Sequence, residues 1–190
     1  MIVGLDLATS TGFAYGDGSG RPHVAALKMP STGKDVGSFL VFFRDFLFNL
    51  VERLSRETRV VVVFEAPILP TSKKDDYGAA QTNIMTTRKL QGLAGVVEMV
   101  VLDLKRMGRD VACFETHLGT IKKELAGHGR AEKGDMVLAA RRAGIPLSNG
   151  KEGEDEADAF GAWLVGIRYH APQHLALWDR VLGRAGLTHD

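Results

Sequence analysis

The run Val60-Val-Val-Val-Phe64, closed by Glu65, limits more than any other feature what this chain can fold into. A strand with one face in water alternates apolar and polar residues. An unbroken β-branched run of strand length instead belongs to a strand covered on both faces. Such a strand lies inside a sheet with helices on each side, which predicts an α/β domain of three layers. At 190 residues the chain has the length of one domain. A domain of that size buries about 70% of its unfolded surface, so its core needs no disulfide or metal staple. The balance of 45% apolar and 25% charged residues excludes a disordered, collagen-like or coiled-coil chain.

The remaining elements follow from period and punctuation. Met1 to Leu7 reads as a short apolar strand, Ala8 to Thr11 as a turn of small residues, and Gly12 to Gly16 as a second strand. Asp17-Gly-Ser-Gly20 is a hairpin signal that returns the chain into a third strand, Pro22 to Met29. Apolar residues at 39, 40, 43, 46, 47, 50, 51 and 54 give Ser38 to Thr58 a helical period. After the strand at Arg59 to Glu65, Pro67 and Pro70 open an exposed loop that runs to Asn83. Leu90 to Met107 is a long helix stopped by Gly108, Asp110 to Glu115 a fifth strand, and Leu118 to Leu125 a short helix. Helices over Lys133 to Ala143 and Asp155 to His170 complete a mixed five-stranded sheet flanked by helices, in the order βββαβαβααα. Residues 1–170 are expected to form this domain; 171–190, with Pro172 and Trp178, read as a C-terminal tail without a legible role.

Several function classes fall away at once. No apolar run approaches the roughly 18 residues that a membrane span needs. The first strand starts at once, with no basic stretch or cleavage region of a secretory signal ahead of it. Cys113 is alone, so neither an internal disulfide nor a cysteine-based zinc site can form. The expectation is a cytoplasmic protein that does not contact a membrane. Lys+Arg 24 against Asp+Glu 23 gives a net charge of +1, unlike the uniformly basic body of a nonspecific nucleic-acid binder. The charges are nonetheless clustered. Basic pairs recur at Lys73-Lys74, Arg88-Lys89, Lys105-Arg106, Lys122-Lys123 and Arg141-Arg142, and acids gather from Glu152 to Asp158. Any one basic pair reads first as a solvated helix face.

The carboxylates carry more information. Asp6 interrupts the first strand between Leu5 and Leu7, and Glu65 ends the most apolar strand of the chain. A buried carboxylate is costly unless a cation meets it. Either acid alone reads as a strand end protruding into water; two of them, each before a turn of small residues or proline, fit a ligand site at the carboxyl ends of strands. Asp155 and Asp158 are three apart and share one helical face, with small Ala157 and Ala159 beside them. Acids in a first helical turn also stabilise the helix dipole by about 0.3–1 kcal/mol without any function. If these acids converge, two carboxylates about 4 Å apart repel by about 4 kcal/mol at an effective dielectric of about 20. Divalent cations resolve that repulsion, and an all-oxygen donor set suits magnesium or manganese rather than zinc. A pair of such ions serves phosphodiester hydrolysis, so the chemistry implied is that of a nuclease.

The order Asp6, Glu65 and then Asp155-Glu-Ala-Asp158-Ala resembles the RuvC family of Holliday-junction resolvases, which have a ribonuclease H-like fold. Ile121-Lys-Lys-Glu-Leu-Ala-Gly127-His-Gly129-Arg-Ala131-Glu-Lys133 is similar to that family's lysine-containing helix, Gly-x-Gly turn and Ala-x-Lys segment. Leu90-Gln-Gly-Leu-Ala-Gly95 resembles the family's helix after the second acid, and the likeness spans residues 1–170. The resemblance implies that Asp6, Glu65, Asp155 and Asp158 are catalytic acids binding Mg2+ or Mn2+, two ions per site, with Lys122 and Lys133 on the scissile phosphate. It implies a homodimer, paired through the helix at 90–107, that cuts a four-way junction symmetrically. Lys73, Lys74, Tyr77, Arg88, Lys89, Lys122, Lys123, Arg130 and Lys133 are the expected DNA contacts. The chain departs from the family in a longer loop after Glu65 and in Ile68, where the family has an aromatic wedge that Tyr77 would have to replace. Loop and tail variation of this kind suits a phage-type relative.

Other readings compete. Gly4-Leu-Asp6-Leu-Ala-Thr9-Ser-Thr-Gly12 also resembles the first phosphate loop of the actin and sugar-kinase superfamily, although those enzymes need a second domain to close on nucleotide. A nuclease acting on forks, flaps or RNA–DNA hybrids would share the same acids, and a silent DNA-binding relative would keep the fold alone. His170 and His174 are separated by Pro172 and read as a surface pair; Ser10 and Ser148 lack a His–Asp context; Trp163 reads as core. Gly16-Asp-Gly-Ser-Gly20 joins strand to strand, so it is a hairpin rather than a phosphate cradle.

Overall fold

The computed structural model describes residues 1–67 and 84–184. Strands β1 (Ile2–Asp6), β2 (Ser10–Gly16), β3 (His23–Lys28), β4 (Val60–Glu65) and β5 (Val111–Thr116) form one sheet in the order β3-β2-β1-β4-β5. The β1–β2 and β2–β3 pairs are antiparallel; β1–β4 and β4–β5 are parallel. The helices are α1 (Val36–Leu54), α2 (Ile84–Arg106), α3 (Leu118–Ala126), α4 (Lys133–Arg142), α5 (Lys151–His170) and α6 (Leu175–Val181), with a 3-10 turn at Pro172–His174.

The unbroken run of β4 is explained by a core on each side of the sheet. Val60, Val62 and Phe64 join Val3, Leu5, Phe39, Phe43, Leu47, Leu93 and Val97 under α1 and α2. Val61 and Val63 join Ile2, Phe160, Trp163 and Ile167 under α5. Thus β4 is interior and covered on both faces, with β1 the middle strand. The layers are helix, mixed sheet and helix, the expected three-layer arrangement.

Several boundaries differ from the expected ones. Asp35 caps α1, its carboxylate accepting from Ser38 N at 2.9 Å, so the helix starts at Val36 and ends at Leu54 rather than running from Ser38 to Thr58. Helix α2 begins at Ile84, a turn and more before Leu90. Helix α5 begins at Lys151 rather than Asp155, so the first-turn acids are Glu152 and Glu154, and the dipole argument does not apply to Asp155 or Asp158. Residues after 171 also pack on the core. Trp178 is 3% exposed, lies edge-on to Trp163 at 5.0 Å, and donates its indole N–H to Gly18 O at 3.0 Å. Lys73, Lys74, Tyr77 and the expected loop over 68–83 lie outside the described residues.

Candidate active site

Strands β1 and β4 run parallel with Leu5 opposite Phe64, which brings Asp6 and Glu65 to the same end of neighbouring strands. Helix α5 crosses that end almost in backbone contact with the sheet. A Cβ on Gly4 would lie 2.5 Å from Ala159 O and 2.8 Å from Trp163 Cα, and one on Gly12 would lie 2.5 Å from the Asp155 carbonyl carbon. Only glycine permits that approach. Gly12 pairs with Asp6 across β1–β2, so the contact that seats α5 also brings Asp155 beside the end of β1.

The four acids share one electrostatic neighbourhood. Burial, then the charges of Asp158, Glu65 and Asp155, hold Asp6 well above the usual carboxylate range, with Lys133 opposing. Burial and Asp158 raise Glu65 to about 7 against the pull of Lys122. Asp158 rises to about 6, chiefly through burial, with Lys133 and Lys122 opposing and Asp155 and Glu154 adding to it. Asp155 is also raised by burial, partly offset by a hydrogen bond from Ser10 and by Lys151 and Lys133.

The lysines come from the opposite wall. Lys133, the first residue of α4, donates to Glu154 Oε2 at 2.8 Å; that bond, ahead of the fields of Glu154, Asp158 and Asp155, raises its pKa. Lys122 on α3 acts on Glu65 and Asp158. Lys123, Arg130 and Arg88 are exposed. Lys89, expected on DNA, sits 4.6 Å above the buried Phe39 ring in a cation–π contact.

Residues that sequence reasoning missed are Ser10 and Glu154, which bond Asp155 and Lys133, and the seating glycines. A glycine inside a strand pattern, as at Gly4, was the available signal for close backbone approach. The phosphate-loop alternative meets an obstacle here: the Thr11 hydroxyl is fully buried and donates to Ala8 O at 3.0 Å, and Ser10 is engaged with Asp155. Of the histidines, His170 stacks on Phe114 with ring centroids 4.2 Å apart, and its pKa is lowered by burial and by Arg59.

The donor set fits a divalent cation. Asp155 Oδ2 is buried without a hydrogen-bond partner, and all the other oxygens offered by these residues are carboxylate. Raised pKa values mean that ionisation here is unfavourable until a cation compensates it. No three His, Cys, Asp or Glu side chains among the described residues yet close around one point, so the acids form a loose cluster rather than a finished coordination shell.

No protein-family model matches the sequence, and no curated protein matches it. Solved structures do match. Thermus thermophilus RuvC superposes with a TM-score of 0.61 at 18% identity, over 91% of this chain and 96% of that one. T. thermophilus RuvC in complex with Holliday junction substrate gives 0.59 at 19% identity, over 91% and 96% of the two chains. The yeast mitochondrial Holliday junction resolvase Ydc2 gives 0.56 at 13%, over 93% of this chain and 83% of that one. The chain has the RuvC-type, ribonuclease H-like fold over nearly its whole length.

Proposed function

We propose that this protein is a divalent-metal-dependent endonuclease that resolves four-way DNA junctions. The observation that carries the reading is the meeting of Asp6, Glu65, Asp155 and Asp158, from β1, β4 and α5, at one end of a RuvC-type sheet, with every pKa raised. Acids so placed raise one another's pKa values and leave Asp155 Oδ2 without a partner, an arrangement suited to Mg2+ or Mn2+, two per site. Bound there, the ions would supply Lewis acidity and charge neutralisation for phosphodiester hydrolysis.

The chain's own residues orient and balance the rest. Ser10 fixes the Asp155 carboxylate, and Glu154 holds the Lys133 ammonium between α4 and α5. Lys122 and Lys133 face the acids from α3 and α4, where they offset charge developing on the phosphate. Lys123, Arg130 and Arg88 are exposed and are the proposed contacts to DNA backbone; Lys73, Lys74 and Tyr77, outside the described residues, are proposed with them from the sequence. Lys89 also stands over the Phe39 ring, and its expected contact with DNA is part of the same proposal. Helix α2 presents exposed Met99 and Leu102, three apart, as the surface for pairing two copies. A monomer by light scattering at working concentration would remove paired incision.

The deciding experiment compares labelled four-way junction, fork, flap, RNA–DNA hybrid and plain duplex, with magnesium and then with EDTA. Paired nicks confined to the junction and abolished by EDTA are expected. Cutting of forks, flaps or hybrids instead keeps the nuclease and removes the resolvase. Binding of the junction without cutting of any substrate overturns the enzymatic reading.

A further inference from the structure

Arg184 follows α6 and lies far along the chain from every acid of the site, yet its guanidinium is largely buried against α3. Nη2 donates to Lys123 O at 2.9 Å and to Glu124 O. The Glu124 carboxylate accepts from Arg168 Nε of α5 at 2.7 Å and lies 3.8 Å from Arg184 Nη1. Asp179 of α6 completes the group at 4.0 Å from Arg168. Two cations and two anions thus neutralise one another, with side chains only 12–25% exposed. Trp178 fixes the same segment at its other end, through Trp163 and Gly18.

Helix α3 needs such support. It has nine residues, too few to be stable alone, and the carbonyls of its last turn have no partners within the helix. The Gly127 N–H returns to Lys123 O at 3.1 Å, and Arg184 takes the same carbonyl and the next one, placing positive charge at the negative end of the helix. Lys122 precedes these carbonyls by one residue, and the turn after them leads to Lys133.

We propose that Arg184 and Glu124 are positioning residues that lock α3 so that the Lys122 charge stays directed at Glu65 and Asp158, making the C-terminal segment a determinant of the cleavage rate. This rests on the endonuclease reading of the site; the lock itself does not. Neither residue touches the acids.

The test uses the full chain with Arg184→Ala, Arg184→Lys, Glu124→Gln, Lys122→Ala and the Arg184→Ala/Lys122→Ala double variant. In Arg184→Ala, amides over 118–126 are expected to exchange about tenfold faster while those of β1 and β4 are unchanged. Single-turnover cutting of a saturating junction should fall about 5–10-fold, with junction affinity within about twofold and partial recovery in Arg184→Lys. Because Arg184 acts through Lys122, the double variant should cut no more slowly than Lys122→Ala, a non-additive result. Unchanged exchange in α3, or fully additive losses, overturns the proposal. If Arg184→Ala loosens every strand, Glu124→Gln, which removes one charge and keeps the shape, decides on the same criteria. If the wild type cuts nothing, the endonuclease reading fails, while the exchange comparison still decides whether the lock exists.

Discussion

The two faces of the sheet both bury an apolar core but differ at the end where the acids lie. Under α1 and α2 the packing side chains are large and apolar, with Phe39, Phe43, Leu47 and Leu93 almost completely buried. Under α5 the helix is seated on Gly4 and Gly12 through its own backbone, and polar Asp155 and Glu156 are buried at 3% and 4% exposure. Glu156 is satisfied, accepting from Ser148 N at 2.6 Å and Ser148 Oγ at 2.9 Å; Asp155 Oδ2 is not. Both faces carry an apolar core, but the α5 face also gives up some stability to hold charge at a fixed place. The same sheet can do both because side chains of a strand alternate between its faces.

The contrast is broken most severely by Asp6→Asn. Cutting should drop by about a thousandfold or more, at least about 4 kcal/mol of transition-state stabilisation, while the metal-free variant melts higher than wild type at pH 8. Kinetics and calorimetry on the same preparation check both halves, and an unchanged rate sinks the site.

Next come paired substitutions, one on each face. Phe43→Ala should cost about 3–5 kcal/mol by opening a cavity and leave magnesium affinity of the folded protein unchanged. Gly4→Ala should cost about 1–3 kcal/mol by pushing on the backbone of α5, and it should weaken magnesium binding as well. Denaturant titration with isothermal calorimetry separates the two; equal effects on metal affinity would dissolve the distinction between the faces.

A smaller effect is expected from pH. Glu65 at about 7 and Asp158 at about 6 bind protons more tightly in the folded than in the unfolded chain. Their contribution is most favourable below the usual carboxylate values, about 4, and is lost as pH rises through about 6 and 7. Metal-free protein should therefore lose about 1–3 kcal/mol between about pH 4.5 and 7.5, after discounting for partial exposure. Saturating magnesium should flatten the curve. The smallest effect belongs to Lys133→Ala. Its exposed pair with Glu154 contributes at most about 0.5 kcal/mol to stability, so a large fall in melting temperature would mean that this lysine is structural.

Asp155 was read only from its spacing of three from Asp158; the other three acids were legible because they stand where apolar residues are expected: Asp6 inside Ile2–Leu7, Glu65 after four valines and a phenylalanine, Asp158 before Ala159-Phe160. The layers were legible in β4 for the same reason. The start of α5 was not, because Lys151-Glu-Gly-Glu carries no apolar period, and the helix is buried by what surrounds it rather than by one stripe. The packing of Trp178 was hidden too: Leu175, Trp178, Val181 and Leu182 recur at helical spacing, but its partners, Gly18, Phe160 and Trp163, are set by tertiary contact that the local pattern does not disclose. The surroundings of Lys89 were hidden for a related reason: a basic pair in sequence does not disclose that one ammonium has an aromatic ring beneath it.

The seating of α5 on β1 and β2 also governs when the site can exist. The Trp163 indole bonds Gly16 O across 147 residues, and Gly4 meets Trp163 and Ala159 across a similar span. Contacts so distant in sequence form only at the entropic cost of closing a long loop. During synthesis Asp6 and Glu65 emerge well before Asp155 and Asp158, so a nascent chain holds only half of the acids. A partly made or partly unfolded molecule therefore lacks the assembled acid cluster, and the proposed activity would arrive only with completion of the fold.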